Sequence, residues 1–238
     1  MKSKFAVIFG VSQGLGRSLV ENYLSLNVNV IGVGRRNSII HNCYTFLERD
    51  LSLAHDWSDL IELIPDGVEE IELIYNAGSL GEVRQIEDVT TNPQALFQLN
   101  AISWMEIVGA FLKSLSKDVL MHFVSISSGA GRRGIPGWSQ YGSTKAAMDN
   151  FMLTLKEELL LKNSLSKVYS LSPGVMDTGM QEIIRGLSDK DFPQVQNYIR
   201  FNTDGNLRSV TTIAQALIHY LSLTDQQKVL IGVQDLSL

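Results

Sequence analysis

The stretch from Phe5 to Gly16 constrains the chain most. Phe5-Ala-Val-Ile-Phe9 is a short, unbroken apolar run, the mark of a strand buried on both faces. Gly10, Gly14 and Gly16 follow at once, with Ser12, Gln13 and Leu15 between them. Leu15, Leu19, Val20, Tyr23 and Leu24 then recur at helical spacing. Strand, glycine turn and helix in that order bring backbone N–H groups to a helix start. Missing side chains let a pyrophosphate come close to them. The spacing is G-x-x-x-G-x-G rather than the more familiar G-x-G-x-x-G. A bare strand-to-helix turn with no ligand is the other reading, and the flanking pattern favours dinucleotide binding.

Val28 to Val33 reads as a second strand and completes a β-α-β unit. An acidic residue after it would bond ribose hydroxyls and repel a 2′-phosphate. Gly34-Arg35-Arg36 stands there instead, and a guanidinium pairs well with a phosphate dianion. NADP(H) is therefore the expected cofactor, with Arg35 as first partner of the phosphate and Arg36 and Arg17 as helpers. Solvated surface arginines are the plainer alternative.

The alternation continues along the chain. Tyr44–Leu47 predicts a third strand, closed by Asp50 and Leu51. A helix over Trp57–Ile64 stops at Pro65-Asp-Gly67. Glu72–Tyr75 is a fourth strand with Asn76-Ala77-Gly78 at its carboxyl end. One long helix is expected over Pro93–Leu115, carrying Asn100. Val119–Val124 is a fifth strand leading to Ser127, Ser128 and Gly129. A helix over Ser139–Lys162 and a strand over Val168–Leu171 precede Pro173-Gly174-Val175 and Thr178. Residues 176–208 read as an irregular substrate lid. A helix over Ile213–Leu221 and a strand over Val229–Val233 finish the chain. The pattern predicts a single α/β domain over 1–238, with a doubly wound, Rossmann-type, parallel seven-stranded sheet and helices on both faces. Ligands then bind outside the carboxyl ends of the strands, where Gly10, Arg35, Asp50, Asn76 and Ser128 converge.

Tyr141 and Lys145 lie one turn apart on one helix face. An ammonium so placed is expected to lower the phenol's pKa from about 10 and make Tyr141 a proton donor or acceptor.

Composition narrows the function classes. With 45% apolar residues in a 238-residue chain, a full core is available. A net charge of −5 argues against nucleic-acid or anionic-membrane partners. One cysteine, Cys43, cannot form an internal disulfide, so a reducing, cytoplasmic setting is expected. No apolar run reads as long enough to span a bilayer. His41, His55, His122 and His219 show no ligand spacing, so no metal is expected, and His122 reads as an ordinary strand residue.

Together these residues resemble the short-chain dehydrogenase/reductase family over essentially the whole chain. The family's glycine motif matches Gly10, Gly14 and Gly16, its adenine-contacting Asp matches Asp50, and its Asn-Ala-Gly motif matches Asn76 to Gly78. Its catalytic Asn, Ser, Tyr and Lys match Asn100, Ser128, Tyr141 and Lys145. Its nicotinamide-flanking Pro-Gly and Thr match Pro173, Gly174 and Thr178. Two positions depart: Phe9 stands where Thr is usual, and Tyr75 where a second Asn is usual. Within the family, Asn76–Gly81, Pro173–Gln181 and Gly205-Asn-Leu207 are similar to sepiapterin reductases and benzil reductases.

The resemblance implies hydride transfer from NADPH to the carbonyl of a small-molecule ketone or dicarbonyl. Ser128 and Tyr141 would polarise that carbonyl and Tyr141 would protonate it. Lys145 would also bind the nicotinamide ribose, and Asn100 would hold a water linking Lys145 to solvent. Gly174, Met180 and Asp235 join Ser128 and Tyr141 as substrate contacts, with Asp235 near the place of a pterin-anchoring acid. The family also implies a homodimer or homotetramer built through the two long helices. A 3-oxoacyl or other reductase of the same fold, and a non-catalytic NADP(H)-sensing protein, are the rival readings.

Overall fold

Alternate side chains of the first strand enter different cores. In β1 (Lys4–Phe9), Ala6 and Ile8 pack on one face, while Phe5, Val7 and Phe9 pack on the other. The computed structural model describes residues 4–223 and 227–236. From β1 the chain runs through α1 (Gly14–Ser25), β2 (Asn29–Gly34), β3 (Tyr44–Glu48), α2 (Ser58–Glu62) and β4 (Glu70–Tyr75). It continues through α3 (Gln94–Phe97), a π-helical turn (Gln98–Ile102), α4 (Ser103–Ser114), β5 (Leu120–Ile126), α5 (Ser139–Leu161) and β6 (Lys167–Ser172). The last elements are α6 (Gly179–Arg185), α7 (Val195–Thr203), α8 (Val210–Ser222) and β7 (Leu230–Gly232).

The seven strands form one parallel sheet in the order β3-β2-β1-β4-β5-β6-β7. Helices α1 and α8 cover one face, and α2, α4 and α5 cover the other. The sheet order reverses between β1 and β4, and ligands of such sheets bind in the crevice at that point. Register places the strand ends at one level, with Phe9 opposite both Val33 and Tyr75, and Tyr75 opposite Ser125.

Three sequence expectations change here. The helix expected over Pro93–Leu115 is broken into α3 and α4 by the π-helical turn that carries Asn100. The helical run Gln94–Ser114, its π-helical turn included, has 21 residues and holds an 18-residue stretch with a mean hydropathy of 1.4, so it does reach membrane-spanning length and apolarity. Its Trp104, Ile107, Val108 and Phe111 are buried against the sheet. The lid, expected to be irregular, contains α6 and α7. Its base is closed by Met176 bridging Arg208 and by paired backbone bonds between Val175–Asp177 and Arg208.

The two departures from the family pattern belong to one aromatic cluster. Phe9 packs on Tyr75 with ring centroids 5.8 Å apart, and Tyr75 on Trp104 at 5.4 Å. The Tyr75 hydroxyl donates to the Leu99 carbonyl at 2.5 Å, inside the π-helical turn. The hydroxyl thus bonds an acceptor in the turn that presents Asn100.

His122 is not an ordinary strand residue either. It is buried, with Nδ1 3.6 Å from Glu72 on the neighbouring strand. Glu72 also takes Lys4 Nζ at 2.8 Å and the Tyr23 hydroxyl at 2.5 Å. Burial opposes ionisation of Glu72, but His122, Lys4 and Tyr23 outweigh it and hold its carboxyl below the usual range. Glu70, Glu72 and His122 are close enough to share a cation, and the Lys4 ammonium already stands between the two carboxylates.

Replacing Tyr75 by Phe removes the bond to Leu99 and keeps the ring. Tyr75→Phe should cost about 1 kcal/mol and lower the thermal midpoint by ~2–4 °C, read by circular dichroism. A midpoint equal to the parent's would show that the hydroxyl contributes nothing.

Candidate active site

The strand ends open onto a cleft of about 470 Å³ at the β1/β4 crevice. Its floor is the glycine turn. Gly10 has φ +86°, and a Cβ there would lie 2.6 Å from the Ala77 backbone. A Cβ on Gly16 would lie 2.1 Å from the Gly10 carbonyl oxygen, so the first turn of α1 rests directly on β1. Asn76 Nδ2 donates to the same carbonyl at 2.8 Å. The start of α1 has no side-chain cap and no acidic residue in its first turn. Its N–H groups therefore face the cleft with the positive end of the helix dipole, as an anion needs.

At one end of the cleft stand Arg35 and Arg36, both exposed. Asp50 accepts from the Ser52 hydroxyl at 2.7 Å and from the Ser52 N–H at 3.0 Å. These bonds, with a smaller contribution from Arg35, lower its pKa. Arg17 is turned to Glu21 and Ser38 and is not part of the cleft wall. Arg49 lines the cleft, but its guanidinium is held by Asp59.

In the middle stand Ser128, Tyr141 and Lys145. Ser128 leaves the end of β5, and its Oγ accepts from the Ala130 N–H at 3.2 Å. Tyr141 and Lys145 sit in the first two turns of α5. Their electrostatics differ from the sequence expectation. Burial pushes the Tyr141 hydroxyl up to about 12, against a smaller downward pull from Ser128. Burial also pulls Lys145 down to about 8. Lys145 Nζ donates to the Ile126 carbonyl at 2.8 Å and lies 5.9 Å from the Tyr141 ring centroid. Desolvation thus dominates at Tyr141, and the phenol is protonated at neutral pH.

Asn100 stands behind the cleft wall, fully buried. Its Oδ1 accepts from the Ser79 N–H at 2.9 Å, and its Nδ2 donates to the Ser79 carbonyl at 2.8 Å and to Thr144 Oγ1 at 3.0 Å. Both amide hydrogens are bonded, so the side chain locks the Asn76–Ser79 loop against α5. Asp235 stands apart from the cleft. Its carboxylate is held by Lys228 at 2.8 Å and by the Gly232 N–H at 2.7 Å, and it does not line the cleft. A short 3₁₀ turn after β7 points it back along its own segment.

The cleft thus gathers Gly10, Ser12, Gln13, Gly14, Leu15, Arg35, Arg36, Asp50, Leu51, Asn76, Ala77 and Gly78 with the Ser-Tyr-Lys group. Pro173, Gly174, Val175, Thr178 and Met180 close it from the β6 side. Gly16 packs beneath the floor. Sequence reasoning missed Leu80, Ile135, Trp138 and Gln181, which form much of the remaining wall. Trp138 stacks on Phe192 with centroids 4.9 Å apart and meets Tyr198 edge-on at 5.7 Å. Gly137, at φ +87°, permits this approach, because a Cβ there would lie 2.5 Å from the Asp191 carbonyl. The spacing of Trp138, one turn before Tyr141, was the available signal.

The family's sequence pattern, short chain dehydrogenase, matches residues 4–188. The chain belongs to the short chain dehydrogenase family. Such proteins are oxidoreductases that use nicotinamide cofactors. The chain is 30% identical to a benzil reductase ((S)-benzoin forming) of Bacillus cereus, over 92% of this chain and 94% of that one. A benzil reductase of Bacillus subtilis is also 30% identical, over 90% and 92%. A solved short chain dehydrogenase/reductase of Saccharomyces cerevisiae, YIR035C, superposes with a TM-score of 0.82 and 25% identity, covering 98% and 96%.

The lowered pKa of Lys145 has a measurable sign. Its folded value, about 8, lies below the ordinary 10.5, so between these values the unfolded chain binds the proton more tightly. This group's contribution to stability is therefore lowest below pH 8 and rises as the pH climbs from 8 towards 10.5. Lys145→Met should flatten that rise in urea midpoints measured across the same pH range. Parallel pH profiles for parent and variant would contradict the assignment.

Proposed function

We propose that this protein is an NADPH-dependent carbonyl reductase acting on a ketone or dicarbonyl of the benzil or sepiapterin type. The observation that carries the reading is Tyr141, Ser128 and Lys145 brought together in a cleft with an open helix N-terminus at its floor. The turn of Gly10, Gly14 and Gly16 suits a pyrophosphate, since it offers N–H groups and excludes side chains. Asp50 would take the adenine, Lys145 the nicotinamide ribose, and Val175 and Thr178 the nicotinamide. Arg35 and Arg36, exposed at the cleft end, would pair with a 2′-phosphate. Bound NADPH supplies the hydride.

The chain's own part in the reaction is acid catalysis. Ser128 and Tyr141 donate hydrogen bonds to the substrate oxygen and draw electron density towards it. As the carbonyl carbon gains the hydride, the carbonyl π pair moves to oxygen, and that oxygen takes the Tyr141 proton. At the substrate a C–H and an O–H bond form and the carbonyl π bond is lost, while the Tyr141 O–H bond breaks and leaves a phenolate; the hydride would come from the cofactor held by the residues above. With burial raising its pKa towards 12, Tyr141 holds its proton at neutral pH and can act as the acid. The likeness to benzil reductases and the apolar wall of Leu80, Ile135 and Trp138 support a bulky dicarbonyl. Pairing of two copies through the outer faces of α4 and α5, where Leu153 is exposed, belongs to the same proposal.

NADPH oxidation followed by absorbance, against benzil, sepiapterin and an acetoacetyl thioester, tests the reading. Turnover of benzil or sepiapterin is expected. Turnover of the thioester alone would move the protein to the fatty-acid type of reductase. Tyr141→Phe should lower kcat by about 100-fold or more with NADPH binding retained, and an unchanged kcat would sink the acid assignment. Arg35→Ala should weaken NADPH binding about tenfold more than NADH binding, while equal losses would remove Arg35 as the phosphate partner.

A further inference from the structure

Two polar side chains on the substrate side of the cleft have nothing to bond. Gln181, on α6, is 2% exposed, and neither its Oε1 nor its Nε2 has a hydrogen-bond partner among the described residues. Trp138 is 6% exposed, and its indole N–H is likewise unpartnered. Both line the cleft. Buried donors left unbonded are costly, and native proteins keep few of them. Among the described residues, the other such groups, as on Tyr44, Trp57 and Tyr169, lie away from the cleft, apart from the Ser127 hydroxyl at the end of β5. Gln181 and Trp138 instead line the cleft that holds the proton donor. The Trp138 ring is 5.4 Å from that of Tyr141. Gln181 opens α6, its N–H bonded to the Thr178 carbonyl at 2.9 Å.

We propose that Gln181 and Trp138 are specificity-determining residues, whose N–H groups bind a second oxygen of the substrate beside the carbonyl that Tyr141 protonates. The inference rests on the reductase reading above and narrows it to vicinal dicarbonyls. A carbonyl oxygen has two lone pairs and can accept from both donors. A simple ketone of the same size leaves both donors unbonded in an apolar wall. Sites built to hydrogen-bond a substrate group reject the analogue lacking it far more strongly than apolar pockets do. Stacking on Phe192 and contact with Tyr198 hold the indole in place, so the donor is pre-oriented.

The test compares benzil with deoxybenzoin, in which a methylene replaces one of the two carbonyls. Parent, Gln181→Met and Trp138→Phe are assayed with NADPH on both, and NADPH affinity is measured separately by its fluorescence. Gln181→Met should lose about tenfold more kcat/KM on benzil than on deoxybenzoin, with Trp138→Phe moving in the same direction. NADPH affinity should change by less than about threefold. Equal losses on the two ketones, or a fall in NADPH affinity that matches the loss on benzil, would overturn the proposal while leaving the reductase reading intact. Parent protein that binds NADPH and reduces neither ketone would overturn this proposal, and would overturn the reductase reading only if sepiapterin and the thioester were also left unreduced. Should Gln181→Met fail to fold, the Trp138→Phe ratio decides alone.

Discussion

The carbonyl of Gly10 is the point on which the architecture turns. Asn76 donates to it from the end of β4, and the first turn of α1 rests on it at Gly16, where no Cβ fits. The Gly10 N–H is bonded to Val33 at the end of β2. One residue, through its N–H and its C=O, thus ties β1, β2, β4 and α1 together at the place where the sheet order reverses. The contact holds the uncapped start of α1 at the crevice, and the rest of the site is built around that fixed, positively polarised end.

Burial governs the chemistry from there. Tyr141 and Lys145 share a helix face, but low solvent access moves both towards their neutral forms, the phenol upward and the ammonium downward. A protonated phenol beside Ser128 is a potential proton donor. Away from the cleft, buried charge is handled by pairing instead. Glu72 keeps its charge because Lys4, His122 and Tyr23 surround it.

The departures at Phe9 and Tyr75 are linked. Tyr75 reaches across the aromatic cluster to the Leu99 carbonyl, and the next residue, Asn100, clamps Ser79 and Thr144. An aromatic pair in the core therefore supports the turn that locks the Asn76–Ser79 loop. The lid depends on a similar close fit, in which Gly137 lets the Asp191–Phe192 segment settle against Trp138.

Much of this was legible in the sequence. Unbroken apolar runs such as Phe5–Phe9 predict strands buried on both faces, and their alternation with helical periods predicts the parallel sheet, because both signals are local. Gly10 and Gly16 betrayed the cradle, since only glycine tolerates backbone approach that close. Tyr141 and Lys145 were visible as one turn of a helix. Partner-dependent properties were not. Whether Asp235 faces the cleft depends on Lys228 and Gly232, and the protonation of Tyr141 depends on how much solvent α5 and the lid exclude. The two helices of the lid, the π-helical turn at Asn100 and the unbonded amide of Gln181 are decided by packing between segments far apart in the chain. Sequence determined which backbone groups could reach the crevice, because backbone geometry follows from local side-chain size and period. Only the tertiary structure decided what each side chain does there, because hydrogen bonding and desolvation belong to neighbours, not to residues.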